Sequence, residues 1–454
     1  MLPKLETLKM TSLFSLATIA LAAYLLWIIL YNLYISPLSK YPGPKLAACT
    51  NLPNLYWTST GQYHYKLKDL HDKYGDVVRA GPQTLVYRTP QAWKDIYSHR
   101  KSGTSSYLKD PKFYLQGPRG PSILNANDAD HSRTRRLLSH AFSEKALRDQ
   151  EALIQSYVDM LINRLQGEIA SSRKVVDMSQ WYNFTTFDII GDLAFGEPFD
   201  CLKNSQYHPW VKMLFSSMKV LALRRPLAIY PFLAPIVSGL MPKRLVKMRE
   251  EHFALTAEKV HRRLETKTDR PDFMAYILRV DDDRSLTARE MEANAAILIM
   301  AGSETTASLL SGFTFYALTN AGVWKKLVEE VRGAFGSYDE IDFKEVSVSG
   351  AHYSTYHTES LFTDADSFIP ERWLENRDKR FESDCRTALQ AFSLGPRNCL
   401  GRNLAYAEMR LIAAKMLWSF DMTLDESSAS WNIQKAYNIW ERKPLMVKLS
   451  LVLH

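Results

Sequence analysis

Cysteine is scarce in this 454-residue chain: Cys49, Cys201, Cys385 and Cys399 stand far apart, with no CxxC pair. That scatter excludes a disulfide-stapled secreted scaffold and leaves no spacing for a zinc or iron–sulfur site. Dense basic runs are lacking too. The net charge of +8 is spread thinly, and its tightest clusters are Arg133-Thr134-Arg135-Arg136 and Lys243-Arg244. These are too short for a nucleic-acid track, so no nucleic-acid partner is expected. No repeat and no low-complexity tract breaks the chain. With 46% hydrophobic and 23% charged residues, the proportions are those of an ordinary globular protein.

What the chain does contain begins near its N-terminus. Residues 12–35 carry no charge and are rich in Leu, Ile, Ala, Tyr and Trp. A helix of about 24 residues at 1.5 Å rise crosses a hydrocarbon core of roughly 30 Å. A cleavable signal peptide would have a shorter apolar region ending in small residues. This run instead ends in Tyr31, Tyr34 and Pro37, with aromatics placed as at a membrane interface. It reads as a retained transmembrane anchor, residues 12–35, after a short segment 1–11. Pro37, Pro42 and Pro44 then stop any helix and make residues 36–50 a stiff hinge.

From residue 51 to 454 the pattern is that of one mostly helical body with small β-sheets. Asp76 to Pro90 reads as a hairpin around Gly81-Pro82. Helical patterns run over Asp130–Phe142, Ala152–Ala170, Trp181–Gly196, Lys243–Glu265, Thr287–Thr319 and Leu404–Ser419. Residues 218–241 are apolar yet broken by Pro226, Pro231 and Pro235. They read either as a surface dipping into the lipid interface or as an ordinary core segment.

The chemistry concentrates in Phe392-Ser393-Leu394-Gly395-Pro396-Arg397-Asn398-Cys399-Leu400-Gly401. A thiolate ligand needs positive potential and backbone N–H donors. Gly395 and Gly401 permit a tight loop and close approach to a flat macrocycle. Arg397 offers a planar fork to a haem carboxylate, and Phe392 shields the sulfur. Cys-ligated haem iron is the arrangement that favours O–O cleavage. Upstream, Thr287 and Glu290 have capping-box spacing at the start of a long apolar helix. Ala301-Gly302-Ser303-Glu304-Thr305-Thr306 interrupts that helix with polar groups. Glu304 is placed to relay protons and Thr305 to hold a water; buried Thr and Ser also back-bond to i−4 carbonyls. His131 and Arg135, four apart, point two donors the same way, suited to a haem propionate, and a solvated basic helix has the same spacing. Arg133, Arg136, His140, Lys145 and Arg148 offer a positive docking face for an acidic electron donor.

In these motifs the chain resembles the haem-thiolate monooxygenases, the cytochrome P-450 family, in its microsomal, membrane-bound form. The anchor and Pro42-Gly43-Pro44 hinge, His131 with Arg135, the 301–306 helix patch, Phe368 to Trp373 and the Cys399 loop all fit. Residues 181–200 and 362–374 look most like filamentous-fungal members acting on terpenoids or polyketides. The resemblance implies haem b with Cys399 as axial iron ligand. It gives Thr305 and Glu304 to oxygen activation, and Arg397, His131 and Arg135 to the propionates. It implies NADPH electrons through a membrane reductase, an apolar small-molecule substrate entering by residues 102–124 and 218–241, and an endoplasmic reticulum location with the body in the cytosol.

One family element is not found. A helix bearing Glu-x-x-Arg and its following strands belong between the oxygen helix and the cysteine loop, yet only 94 positions separate Thr305 from Cys399. The shortening falls near residues 345–350. Glu329 and Arg332 match the pattern by chance on an earlier surface helix. Without that segment, Arg372 is expected to lose its partners and either reach solvent or stay uncompensated. Two readings remain: a catalytically impaired, truncated protein, or an erroneous or alternative splice whose native form carries the segment.

Overall fold

The computed structural model describes residues 2–100, 107–111, 113–114, 120–211, 229–230, 243–266, 268, 270–278, 285–342, 353–437, 439–441 and 443–453. The expectations for residues 345–350, and most of those for 218–241 and 102–119, lie outside the described residues.

Helix α1 (Leu2–Leu30) continues into a π-helical turn, Tyr31–Ile35, closed by Ser36 N–H donating to Tyr31 O at 2.8 Å. Leu13–Ile35 is apolar enough to cross a membrane and no part of it is buried, as expected of an anchor. The hinge leads to α2 (Lys45–Cys49), α3 (Leu52–Ser59) and α4 (Tyr63–Tyr74). Strands β1 (Val77–Gly81) and β2 (Thr84–Tyr87) form the expected hairpin, with Val78 opposite Val86 and a bulge between Arg79 and Gly81. Then come α5 (Pro90–Tyr97), α6 (Asp128–Ser139) and α7 (Glu144–Ala170). Ser143 Oγ accepts from Ala146 N–H and starts α7, ahead of the expected start at Ala152. The polar first turns of α7 conceal its apolar stripe in the sequence.

Strand β3 (Val175–Asp177) precedes α8 (Met178–Phe195), which is buried on nearly every side, as a helix apolar all round must be. Its partner is the central helix α10 (Ala288–Leu318), which follows α9 (Lys243–Glu265). The capping box is present: Thr287 N–H donates to Glu290 Oε2 at 2.9 Å, and Glu290 N–H to Thr287 Oγ1 at 3.3 Å. A Cβ at Gly302 would lie 2.6 Å from Ile190 Cδ1. We expect Gly302→Val to cost about 1–3 kcal/mol through overpacking, read as a lower thermal midpoint; an unchanged midpoint would show that α8 yields freely.

Helix α11 (Ala321–Ala334) and helix α12 (Arg402–Ser419) complete the helical body. Strands β4 (Phe420–Leu424) and β5 (Met446–Leu451) join β3 in an antiparallel sheet of order β3-β5-β4. Arg332 donates to Leu417 O at 3.0 Å, Phe420 O at 3.1 Å and Asp421 Oδ1 at 2.9 Å. It therefore caps α12, while Glu329 faces Lys325 on the surface.

Arg372 corrects an expectation. It is buried and compensated: Nη1 donates to Asp384 Oδ2 at 2.5 Å and Nη2 to Thr363 O at 2.8 Å. Burial disfavours the charged form of Asp384, but Thr363 N–H and Arg372 outweigh it and hold its pKa below the usual value. The partner comes from the loop just before the cysteine segment, so the pairing needs nothing from the region around 345–350.

Candidate active site

Two left-handed residues shape the Cys399 loop, Ser393 (φ 59°) and Gly395 (φ 70°), and Cys399 N–H closes it on Phe392 O at 2.8 Å. A Cβ at Gly395 would sit 1.9 Å from Tyr97 O, so glycine is required by sterics as well as by φ. Gly401 is different. Its φ is −83°, and a Cβ there would meet nothing nearer than Phe142 Cε1 at 3.7 Å; no protein atom demands glycine at that place. Half-buried Phe392 packs on Tyr406, ring centroids 5.0 Å apart. Cys399 itself is exposed. Partial burial pushes its thiol up, opposed by the Gly401 N–H and by the positive fields of Arg135 and Arg402.

The cations proposed for the propionates do converge. Arg397 Nη2 donates to Ala126 O at 2.9 Å and to Asp128 Oδ1 at 2.8 Å, bridging the cysteine loop to the start of α6. Arg397 Nη1 is buried with no hydrogen-bond partner among the described residues. Arg135 Nη1 donates to Asn398 O at 2.7 Å, and its Nη2 donates to Asn398 Oδ1. It braces the residue next to the sulfur. His131 is buried, its pKa pushed down to about 4 by burial and then by Arg397, Arg135 and Lys109. Lys109, which the sequence reading did not single out, is lowered to about 8 by burial and by Arg397. His131 thus lies in the positive field of Arg397, Arg135 and Lys109, a cluster suited to an anion.

On α10 the polar patch divides. Ala301 and Thr305 are exposed, although Ser303, Glu304, Thr306 and Ala307 around them are buried. Thr305 Oγ1 donates to Ala301 O at 2.6 Å and Ser303 Oγ to Ile299 O at 2.6 Å, the back-bonding set beside the functional reading. Thr306 instead bonds Glu408 of α12, whose pKa burial pushes up to about 8 despite that bond. This bond ties α10 to the helix that starts just beyond Cys399. Glu408 and Asn398 were both missed in the sequence. Asn398 lay within the decamer, while Glu408 gave no sign beyond sharing the helix after the cysteine.

These features fit haem b. An exposed sulfur, an uncovered small-residue stripe on α10, an orphaned buried guanidinium nitrogen and an anion-seeking cluster suit a flat apolar ring with carboxylates at one edge.

The family profile described as Cytochrome P450 matches residues 42–348 and 344–449, and the chain belongs to the cytochrome P450 family. It is 47% identical over 473 positions to cytochrome P450 monooxygenase astJ of Aspergillus oryzae, covering 94% of this chain and 95% of that protein. It is 44% identical to monooxygenase astA of Talaromyces wortmannii, over 94% of each chain. To the trichothecene C-15 hydroxylase of Fusarium sporotrichioides it is 38% identical, over 94% of this chain and 96% of that one. The chain is accordingly a haem b monooxygenase supplied with electrons through a reductase, and the impaired reading is not favoured.

A pH dependence follows for the haem-free protein. His131 has a folded pKa lowered from 6.5 to about 4, so its contribution is present above pH 6.5 and is lost as pH falls toward 4. We expect unfolding midpoints to drop across that window and His131→Gln to flatten part of the drop. An unchanged slope in the variant would refute it.

Proposed function

We propose that this protein oxygenates an apolar small molecule by hydroxylation or epoxidation, as a tailoring step in fungal secondary metabolism; the likeness of residues 181–200 and 362–374 to fungal members supports a terpenoid or polyketide substrate. The observation that carries the reading is the cation cluster beside an exposed Cys399. Bound haem b supplies O–O cleavage of dioxygen and the oxidising equivalent. Cys399 would ligate its iron, and His131, Arg135, Arg397 and Lys109 would hold its carboxylates. Phe392 would shield the sulfur, Gly395 gives its loop the turn it needs, and Gly401 would leave room for the macrocycle. Thr305 orients a water at its Oγ1, and Glu304 holds a proton for it. Reconstitution with a reductase, NADPH and candidate terpenoids or polyketides tests this; absence of oxygenated product across both classes, from haem-loaded protein, would sink the substrate reading. We expect Thr305→Val to lower product formed per NADPH consumed by about 10²-fold or more, with haem content unchanged; full retention of that ratio would remove Thr305 from proton delivery.

The body is placed on the cytosolic face of the endoplasmic reticulum, anchored by residues 12–35, with 1–11 in the lumen. The reductase docks on Arg136, His140, Lys145 and Arg148, all exposed. Arg133 is turned away, bonding Glu290 and Ser285 O.

The native form is proposed to carry a further segment near residues 345–350. Two findings support this. The family match restarts at residues 344–348. An alignment of 473 positions that covers 94% of 454 residues also leaves about 46 columns unfilled by this chain. Transcript sequencing across that junction decides it, an uninterrupted 454-residue reading frame being the contrary result.

A further inference from the structure

Asn294 is the only polar side chain between Glu292 and Gly302 on α10, and it is 2% exposed. Asparagine is a poor helix former, and a buried amide without partners is costly. Asn294 has partners on both sides. Its Nδ2 donates to Glu290 O at 2.7 Å, one turn back on α10, and its Oδ1 accepts from Ile123 N–H at 2.8 Å. The first bond fixes the orientation of the amide, so the second reaches one particular place, a turn 171 residues earlier in the chain.

That turn is closed on itself. Asn125 N–H and Ala126 N–H donate to Ser122 O at 3.1 and 2.9 Å, and Ser122 N–H donates to Asn125 Oδ1 at 2.7 Å. Asn127 follows at once as the cap of α6, its Oδ1 accepting from Asp130 N–H at 2.9 Å. Residues 122–126 are thereby joined to the start of the helix that carries His131 and Arg135. Two cations take carbonyls of the same turn. Lys109 Nζ donates to Leu124 O at 2.5 Å and stands 4.2 Å from the centroid of the Tyr114 ring. Arg397 Nη2 donates to Ala126 O at 2.9 Å, which leaves Nη1 as the buried nitrogen with no partner among the described residues. The turn is a rack for these two cations, and Asn294 ties the rack to α10. Glu290 adds a second tie, its carboxylate accepting from Arg133 of α6.

We propose that Asn294 is a positioning residue for haem: through Ile123 N–H it fixes the 122–126 turn, and the turn aims Lys109 and Arg397 at the haem carboxylates. The proposal rests on the reading that these cations hold those carboxylates.

The test compares the full-length haem protein with Asn294→Ala, Lys109→Met and the two combined. Haem release is timed by transfer to excess apomyoglobin, and the carboxylates are followed by the propionate bending band in resonance Raman spectra. Thr314→Val is the control, removing a buried bond between Tyr182 and Thr314 (2.8 Å) at the far end of the same helix. Asn294→Ala is expected to release haem about tenfold faster, the size expected when one charge-assisted bond is loosened, and to shift the propionate band. The double variant should release haem by less than the product of the two single factors, because both changes act along one route. Thr314→Val should lower the thermal midpoint and leave both haem readouts at parental values. A parental release rate in Asn294→Ala, or an unshifted band, overturns the proposal. So does release no faster than in Thr314→Val at a matched loss of thermal midpoint, since that is general loosening. A double variant equal to the product overturns the link to Lys109. Parental release in Lys109→Met overturns instead the reading that Lys109 holds a haem carboxylate. Should Asn294→Ala fail to load, hydrogen exchange of the haem-free protein decides. Residues 120–127 are expected to exchange faster than in the parent, and unchanged exchange there overturns the proposal.

Discussion

Replacing Cys399 by alanine is expected to abolish the red-shifted Soret band of the reduced protein under carbon monoxide, together with all oxygenation. The effect is total because no other cysteine lies in the loop that carries the site. Cys201 is buried in the core, with its thiol pushed up to about 12 by burial and by Asp188. Cys49 and Cys385 are half-buried in other segments. Alanine variants at Cys49 and Cys385 serve as controls and should keep the band. A Cys399→Ala protein that retained its haem and its colour would refute the assignment of the ligand.

The second large effect is one of stability. Truncating Arg372 to alanine leaves Asp384 charged, buried and without its guanidinium, a situation that costs about 3–5 kcal/mol. Set against a total of roughly 5–15 kcal/mol, that loss endangers folding at physiological temperature. Denaturant unfolding followed by tryptophan fluorescence measures it. The paired change Arg372→Met with Asp384→Leu should recover most of the loss, because it removes both charges together. Two single variants that each cost under about 1 kcal/mol would show that the pair is solvated and carries little. Phe381 and Phe362, whose ring centroids lie 5.0 and 5.9 Å from the guanidinium, are the walls that make solvation difficult.

The helices were legible where apolar periodicity or a cap announced them. Thr287 with Glu290 opened α10, and the hairpin followed from β-branched runs around Gly81. The sheet β3-β5-β4 was not legible. Its strands are short, and Val175 pairs with Lys448 across most of the chain, a distance over which local pattern carries no information. At the site, the decamer around Cys399 and the pair His131 and Arg135 declared themselves by residue type and spacing. Partners did not. Arg135 bonds Asn398, Arg372 found Asp384, and Lys109 joined the cations from a loop, because tertiary packing chooses among several acceptors that a sequence leaves equivalent.

Gly302 has the last consequence. Since a Cβ at Gly302 would lie 2.6 Å from Ile190 Cδ1, the helix that carries Thr305 has a backstop in α8 and little freedom to retreat from a bulky guest on its exposed side.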